Sequence, residues 1–147
     1  MTTVINLLNA AVLAGTPLLL ASCGEILTEK SGSLNLGVEG MMYMGAIAGL
    51  AGAWYVEQWM GHGGIVAVLA AIIFAFLCGA LGGLIYAVLT VSLRANQNVT
   101  GLTLAIFGTG FGRFFGEVLG HKAGGYVTVG AETKALYGRI NFGKLSE

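Results

Sequence analysis

Long apolar stretches alternate with short polar segments along this chain. A helix that spans a membrane needs about 20 consecutive, mostly apolar residues. Stretches that meet or approach this length cover residues 4–26, 36–56, 64–91 and 99–119. Beyond them, residues 121–147 are polar and contain several glycines. The pattern predicts an all-α, polytopic integral membrane protein with about four transmembrane helices and a tail that does not span the membrane.

Composition agrees with this class of protein. Of the 147 residues, 56% are hydrophobic and only 10% are charged, and the mean hydropathy is +0.82. A soluble domain usually carries about 25% charged residues. The formal net charge is zero and there is no basic stripe, so the sequence gives no indication of nucleic-acid binding.

The sequence offers no catalytic or metal-binding set. Asp is absent, which excludes a Ser-His-Asp triad, and there is no phosphate-binding glycine-rich loop with Lys-Ser/Thr. Cys23 and Cys78 lie in apolar stretches without nearby histidines, which argues against a metal site. We therefore predict no enzymatic activity in this chain and no cofactor.

The short loops predict an orientation in the membrane. Lys30 and Arg94 lie in two loops that alternate with the turn at residues 57–63, which has no basic residue. The excess of Lys and Arg in cytoplasmic loops places the N-terminus and that turn outside. The tail carries four basic residues and would also be outside, which opposes this assignment, although longer segments cross the membrane largely regardless of charge.

Glycines recur every four residues in three of the predicted spans. Residues four apart share a helix face, and glycine lets two helix backbones approach closely in lipid. The alternative is that membrane helices are generally rich in glycine. Because three spans share the pattern, we predict helix-packing ridges at Gly45 and Gly49, Gly79 and Gly83, and Gly108, Gly112 and Gly116.

Two polar residues at the start of the second span suggest a role in a membrane path. At about 100° per residue, Asn35 and Glu39 share one helical face, whereas Gly45 is rotated by about 120° from Glu39. The polar face could then line a cavity while the glycine ridge packs on a neighbour. This holds if the helix is continuous from Asn35; Gly37 and Gly40 leave a break or a re-entrant start open.

Arg113 and Glu117 are spaced four residues apart near the far end of the last predicted span. We favour the interpretation that they pair with each other at the outer edge of the membrane. A role in binding a transported solute is the alternative.

Two motifs carry a resemblance to a known family. Residues 29–42 read EKSGSLNLGVEGMM and continue into Met44-Gly-Ala, and residues 95–104 read ANQNVTGLTL and continue into Ile106-Phe-Gly-Thr-Gly. In order and spacing, they resemble bacterial ABC permeases for nucleosides and simple sugars, a group related to the ribose and branched-chain amino-acid permeases. The resemblance covers nearly the whole chain. Mild departures, which leave the substrate open, are Lys30, Ser33 and Asn98.

The resemblance implies an importer subunit in the bacterial inner (plasma) membrane. An extracytoplasmic substrate-binding lipoprotein would deliver the solute, and a second permease subunit would complete the path. A separate ABC ATPase subunit would supply the ATP chemistry. Amides and a carboxylate can bind sugar hydroxyls or base edges, which predicts path or gate roles for Asn35, Glu39, Asn96 and Asn98. For Asn96 and Asn98, helix capping is an equally favoured alternative.

Family members of this kind are considerably longer than this chain. The resemblance therefore predicts that residues 1–120 form part of a transmembrane permease domain, that residues 121–147 are an extracytoplasmic loop, and that the segment coupling to the ATPase is not in this chain. Two other functions remain open from the sequence: a small channel made by oligomerisation through the glycine ridges, and a structural membrane subunit that transports nothing.

Overall fold

The structure is a computed structural model that describes residues 2–137. Within that range all regular secondary structure is helical, without strands, which confirms the predicted all-α class. The helices are α1 (Thr2–Lys30), α2 (Val38–Met60), α3 (Ile65–Ala87), α4 (Gln97–Ala123) and α5 (Ala131–Tyr137), and a π-helical segment (Val88–Ser92) follows α3. Residues 138–147 of the predicted tail lie outside the described residues.

Among the described residues, three helical segments are long and apolar enough to cross a membrane. They are Thr3–Lys30, Ile65–Ser92 and Gln97–Ala123. Helix α2 is also long, with 23 residues, but it is rich in Gly and Ala and carries Glu39 and Glu57 near its ends. It is not among the three, so a span at residues 36–56 stays a prediction.

Helix α2 lies at the centre of the fold and packs on α3 through small residues. A methyl group placed on Gly45 would lie 3.2 Å from the carbonyl oxygen of Ala75, and one on Gly49 would lie 3.0 Å from that of Ala71. Such contacts bring the two helix backbones together, and without Cβ atoms this approach has no steric cost. The ring of Phe74 covers Gly52 on the same side.

Helix α4 packs on another side of α2. Gly101, Leu104, Gly108 and Gly112 are all buried in this contact region. The ring of Tyr43 covers Gly112, with 3.1 Å between its Cδ1 and a methyl group placed on that glycine. Helices α2, α3 and α4 therefore form one closely packed unit.

Helix α1 stands largely apart from this unit. In the most hydrophobic 18-residue stretch of α1, no residue is buried against the rest of the described chain. Pro17 lies inside the helix and cannot donate a backbone hydrogen bond, and the neighbouring Thr16 hydroxyl donates to the carbonyl of Val12 at 2.7 Å. Near its C-terminal end, α1 is joined to the rest of the fold by Glu25, whose Oε1 accepts a hydrogen bond from the Asn35 N–H.

Candidate functional site

The seven residues between α1 and α2, residues 31–37, form a polar loop that we call the crossing loop. Helix α2 begins at Val38, with Gly37 as its N-cap. Asn35 therefore precedes the helix, so the condition for a face shared by Asn35 and Glu39, a helix continuous from Asn35, is not met. The reason is local: the Asn35 side chain bonds to the backbone two residues ahead, and this turn competes with helix formation.

Asn35 is buried, with 8% of its surface exposed, and organises the crossing loop. Its Oδ1 accepts a hydrogen bond from the Gly37 N–H at 2.9 Å, and its Nδ2 lies 3.8 Å from the Met41 sulfur. Its own backbone N–H donates to Oε1 of Glu25 at 2.9 Å. Glu25 thus links α1 to the loop, and the Asn35 side chain is occupied within the chain.

The residue before it, Leu34, connects the loop to α3 and α4. Its carbonyl accepts a hydrogen bond from the Tyr86 hydroxyl at 2.6 Å, and its N–H donates to Oε1 of Gln97 at 2.9 Å. The Ser33 hydroxyl lies 3.4 Å from the same Tyr86 oxygen. Side chains from three different helices therefore fix the backbone at Leu34 and Asn35.

The loop backbone also lies directly against the first turns of α4. A methyl group placed on Gly101 would be 2.7 Å from the Leu36 nitrogen, and one on Gly37 would be 3.0 Å from the Gly101 carbonyl oxygen. A real side chain at Gly101 would collide with backbone atoms, and one at Gly37 would be in tighter than ordinary van der Waals contact. Two glycines, one from each of the motifs at residues 29–42 and 95–104, make this contact possible.

A π-helical segment ends α3 beside the crossing loop. The Leu93 N–H donates to the Val88 carbonyl at 3.0 Å, five residues back, and the buried Thr90 hydroxyl donates to the Tyr86 carbonyl at 2.8 Å. Arg94 then adopts a positive φ of 51°. Such π turns are rare and frequently occur at functional sites. Here the π-helical segment sets the course of the backbone that connects α3 to α4.

The other predicted path residues lie at the same end of the fold. Asn96 is the N-cap of α4, and its Oδ1 accepts from the N–H groups of Asn98 at 3.0 Å and Val99 at 3.3 Å. This is the capping arrangement. The side chains of Asn98 and Glu39 are exposed, and neither makes a hydrogen bond or an ion pair with residues 2–137.

The glycine ridges have different surroundings in the structure. Gly45 and Gly49 face α3, and Gly108 and Gly112 face α2. Gly116 is less closely packed on α2, since a methyl group there would be 3.5 Å from Cδ1 of Ile47. Methyl groups on Gly79 and Gly83 would meet nothing within 4 Å among the described residues. The closest approaches that were not predicted from the sequence involve Gly40, Gly52, Gly63 and Gly101.

A second polar cluster, which was not predicted from the sequence, lies at the opposite end of the fold. Glu57, near the end of α2, accepts hydrogen bonds from the Gly130 N–H at 2.8 Å and from the Thr133 hydroxyl. The Gly64 N–H donates to that hydroxyl at 3.1 Å, and Thr133 is fully buried. The described part of the tail therefore folds back over the turn between α2 and α3.

Helix α4 carries a third polar feature, a line of four side chains that we call the α4 polar stripe: Thr109, Arg113, Glu117 and His121. All are four residues apart and so share one helix face. The predicted pairing of Arg113 and Glu117 is not found, since no ion pair or hydrogen bond joins them in residues 2–137. Nothing in the described chain covers these two side chains, which are both exposed.

Comparison with known proteins extends these observations. The sequence profile of the family described as branched-chain amino acid transport system / permease component matches residues 6–144. A candidate glucose ABC transporter permease of Haloferax volcanii is 42% identical over 76% of this chain and 31% of its own length. The guanosine ABC transporter permease of Bacillus subtilis is 31% identical over 78% of this chain and 35% of its own.

A nucleoside ABC transporter permease of Lactococcus lactis is also similar, with 34% identity over 70% of this chain and 32% of its own length. The chain thus spans about a third of the curated relatives that it matches. No solved structure matches this chain. With a family profile that covers almost every residue, the chain belongs to the branched-chain amino acid transport system permease component family.

Proposed function

We propose that this chain is part of a membrane-embedded permease subunit of an ATP-driven ABC importer for sugars or nucleosides. The family match over residues 6–144 and the names of three similar permeases support this function. In this proposal the ATPase, a second permease subunit and an extracytoplasmic substrate-binding lipoprotein are separate partners, and the complex lies in the plasma membrane.

The observation that carries the proposal is the contact between the two family-like motifs. Residues 29–42 and 95–104 are far apart in the sequence, yet Leu34 bonds to Gln97 and Leu36 lies against Gly101. The residues that make the chain resemble a permease are therefore those that build its most constrained polar site. A site of fixed backbone near the ends of spanning helices suits a wall or gate of a solute path.

Within this site we assign different roles to the predicted residues. Glu39 has a free carboxylate beside the start of α2, so we propose that it faces the solute path in the assembled transporter. Asn35 acts as a positioning residue, since its polar atoms are used inside the loop. Asn96 serves as the α4 cap, and Asn98 has an exposed side chain that a solute or partner could reach.

ATP-dependent uptake tests the proposal. The full-length permease is reconstituted in proteoliposomes with its ATPase and supplied with its binding protein, and uptake of radiolabelled guanosine, ribose or glucose is measured. We expect uptake of at least one solute by the wild type and a strong loss for Glu39→Gln. Glu29→Gln is the matched control, because Glu29 is also exposed but lies in α1. Absence of ATP-dependent uptake of all three solutes would contradict the proposed function.

We also propose that the N-terminus and the turn between α2 and α3 are extracytoplasmic. Lys30 and Arg94, at one end of the fold, support this orientation by the positive-inside rule, whereas the basic residues in the described part of the tail, at the other end, oppose it. A membrane-impermeant maleimide tests this in intact cells with Cys23 and Cys78 replaced by Ala. We expect His62→Cys to be labelled directly and Ser31→Cys only after lysis; the reverse pattern would invert the orientation.

A further inference from the structure

The α4 polar stripe lies at a depth where charged groups are unusual. Helix α4 runs from Gln97 to Ala123, so its midpoint is Gly110. At about 1.5 Å per residue, Arg113 is about 5 Å and Glu117 about 10 Å beyond that midpoint. Half the hydrocarbon thickness of a bilayer is about 15 Å. In a centred helix both charges therefore lie inside the hydrocarbon region, where such residues almost always face water or a polar partner.

The stripe points away from the rest of the described chain. Gly108 and Gly112 mark the side of α4 that packs on α2. At about 100° per residue, Arg113 is about 140° and Glu117 about 180° around the helix from Gly108. Arg113, Glu117 and His121 are exposed, and Thr109 is half-buried, its hydroxyl bonding only to the Ile106 carbonyl of its own helix. The charges are thus free to interact with something outside this unit.

At its outer end the stripe reaches an open cavity. Glu117 and His121 line this cavity together with four glycines and Tyr126, and its volume is about 430 Å³. The inner half of the same helix face is different, since it consists of apolar side chains such as Leu102 and Ile106, both exposed. The polar face is therefore confined to the C-terminal half of α4, and its outer end opens into this cavity.

We propose that the α4 polar stripe lines the outer half of the solute path and that Arg113 and Glu117 bind a polyhydroxylated solute directly. The guanidinium can donate up to five hydrogen bonds, and the carboxylate can accept from neighbouring hydroxyls. Together they match a vicinal diol of a sugar or of the ribose of a nucleoside. This inference rests on the proposed function, and it names a solute-contact site different from the crossing loop.

Uptake by the reconstituted full-length transporter gives the first test. We expect Arg113→Ala and Glu117→Gln each to reduce uptake about tenfold or more, since each removes a charge-assisted hydrogen bond. Arg113→Lys should retain part of the activity. Phe114→Ala is the matched control, because Phe114 is exposed at the same depth but about 100° around the helix.

Failure of this inference is distinct from failure of the proposed function. If wild-type uptake is absent, the function is wrong. If the wild type transports and both Arg113→Ala and Glu117→Gln transport at the wild-type rate, the function stands and the stripe does not contact solute.

Accessibility gives a second test, and its Thr109→Cys variant keeps both charges of the stripe. In a full-length permease without native cysteines, Thr109→Cys and Glu117→Cys are treated with a membrane-impermeant thiol reagent, with Val118→Cys as the control at equal depth. We expect labelling of the two stripe positions, slowed by the transported solute, and none at Val118→Cys. Unlabelled stripe positions would mean that another helix covers the stripe, which would overturn the proposal.

Discussion

Gly40 of α2 and Gly108 of α4 lie backbone against backbone. A methyl group placed on Gly108 would overlap the backbone atoms of Gly40, and one placed on Gly40 would overlap the Leu104 carbonyl oxygen and come within 2.7 Å of the Ala105 Cα. The two helices therefore cross where neither has a side chain.

Larger residues at this crossing should separate α2 from α4. We expect Gly40→Val or Gly108→Val to lower the free energy of unfolding by about 1–3 kcal/mol or more, since the colliding atoms are backbone that cannot rotate away. Unfolding of the purified permease in detergent, followed by tryptophan fluorescence, measures this. Gly79→Ala is the control, because a methyl group there meets nothing within 4 Å. Equal stability of all three variants would contradict the crossing.

Removing the Glu25 carboxylate should release the crossing loop from α1. The Asn35 N–H bonds to Oε1 of this residue, so Glu25→Ala leaves a buried donor without a partner, at a cost of about 1–3 kcal/mol. We expect faster hydrogen exchange in peptides that contain Asn35, measured by mass spectrometry. Glu25→Gln keeps an acceptor oxygen and should remain close to the wild type.

The control for Glu25→Ala is Glu29→Ala, one turn further along α1. The Glu29 side chain is exposed and makes no hydrogen bond within the described residues, although its backbone carbonyl accepts from Gly32. Similar exchange rates near Asn35 in both alanine variants would show that the Glu25 contact does not hold the loop.

Replacing Glu57 should detach the described part of the tail. Its carboxylate holds the Gly130 N–H and the Thr133 hydroxyl, so Glu57→Ala removes both acceptors at once. We expect the tail to become sensitive to protease added to the purified permease. Glu132→Ala, which removes an exposed carboxylate from α5, should leave the cleavage rate unchanged. Resistance of Glu57→Ala to cleavage would contradict this anchoring role.

Substitution of Asn96 separates capping from solute contact. Loss of the cap in Asn96→Ala should destabilise α4 by about 0.5–2 kcal/mol, whereas Asn96→Ser or Asn96→Asp keeps a capping oxygen and should restore stability. If Asn96 acts only as a cap, Asn96→Ser should also restore solute uptake in proteoliposomes. Restored stability without restored uptake would instead indicate a direct role in the path.

The sequence predicted the helical class and the presence of long apolar helices because hydrophobic length is a local property. It also identified the two motifs that form the crossing loop. The way these motifs meet could not be predicted, because Leu34 and Gln97 are brought together by packing between distant helices. A glycine four residues from another is visible in a sequence, but only the structure distinguishes Gly108, which lies against a backbone, from Gly83, which faces open space.

The same difference between local properties and contacts with distant segments applies to the site residues. Asn96 was recognisable as a cap because its partners are two and three residues away. Whether the helix continues through Asn35 stayed open from the sequence, because its turn depends on its own side chain and on a distant carboxylate. The anchoring of the tail by Glu57 spans more than 70 residues of sequence, and no local pattern indicates it.

The attachment of α1 at one end has a mechanical consequence. Because little else in residues 2–137 holds this helix to the unit of α2, α3 and α4, we expect its tilt to follow the match between its apolar length and the thickness of the surrounding lipid. Tilting about the fixed end moves the Glu25 carboxylate, which bonds directly to the Asn35 backbone. Bilayer thickness is thereby coupled, through the tilt of α1, to the geometry of the crossing loop.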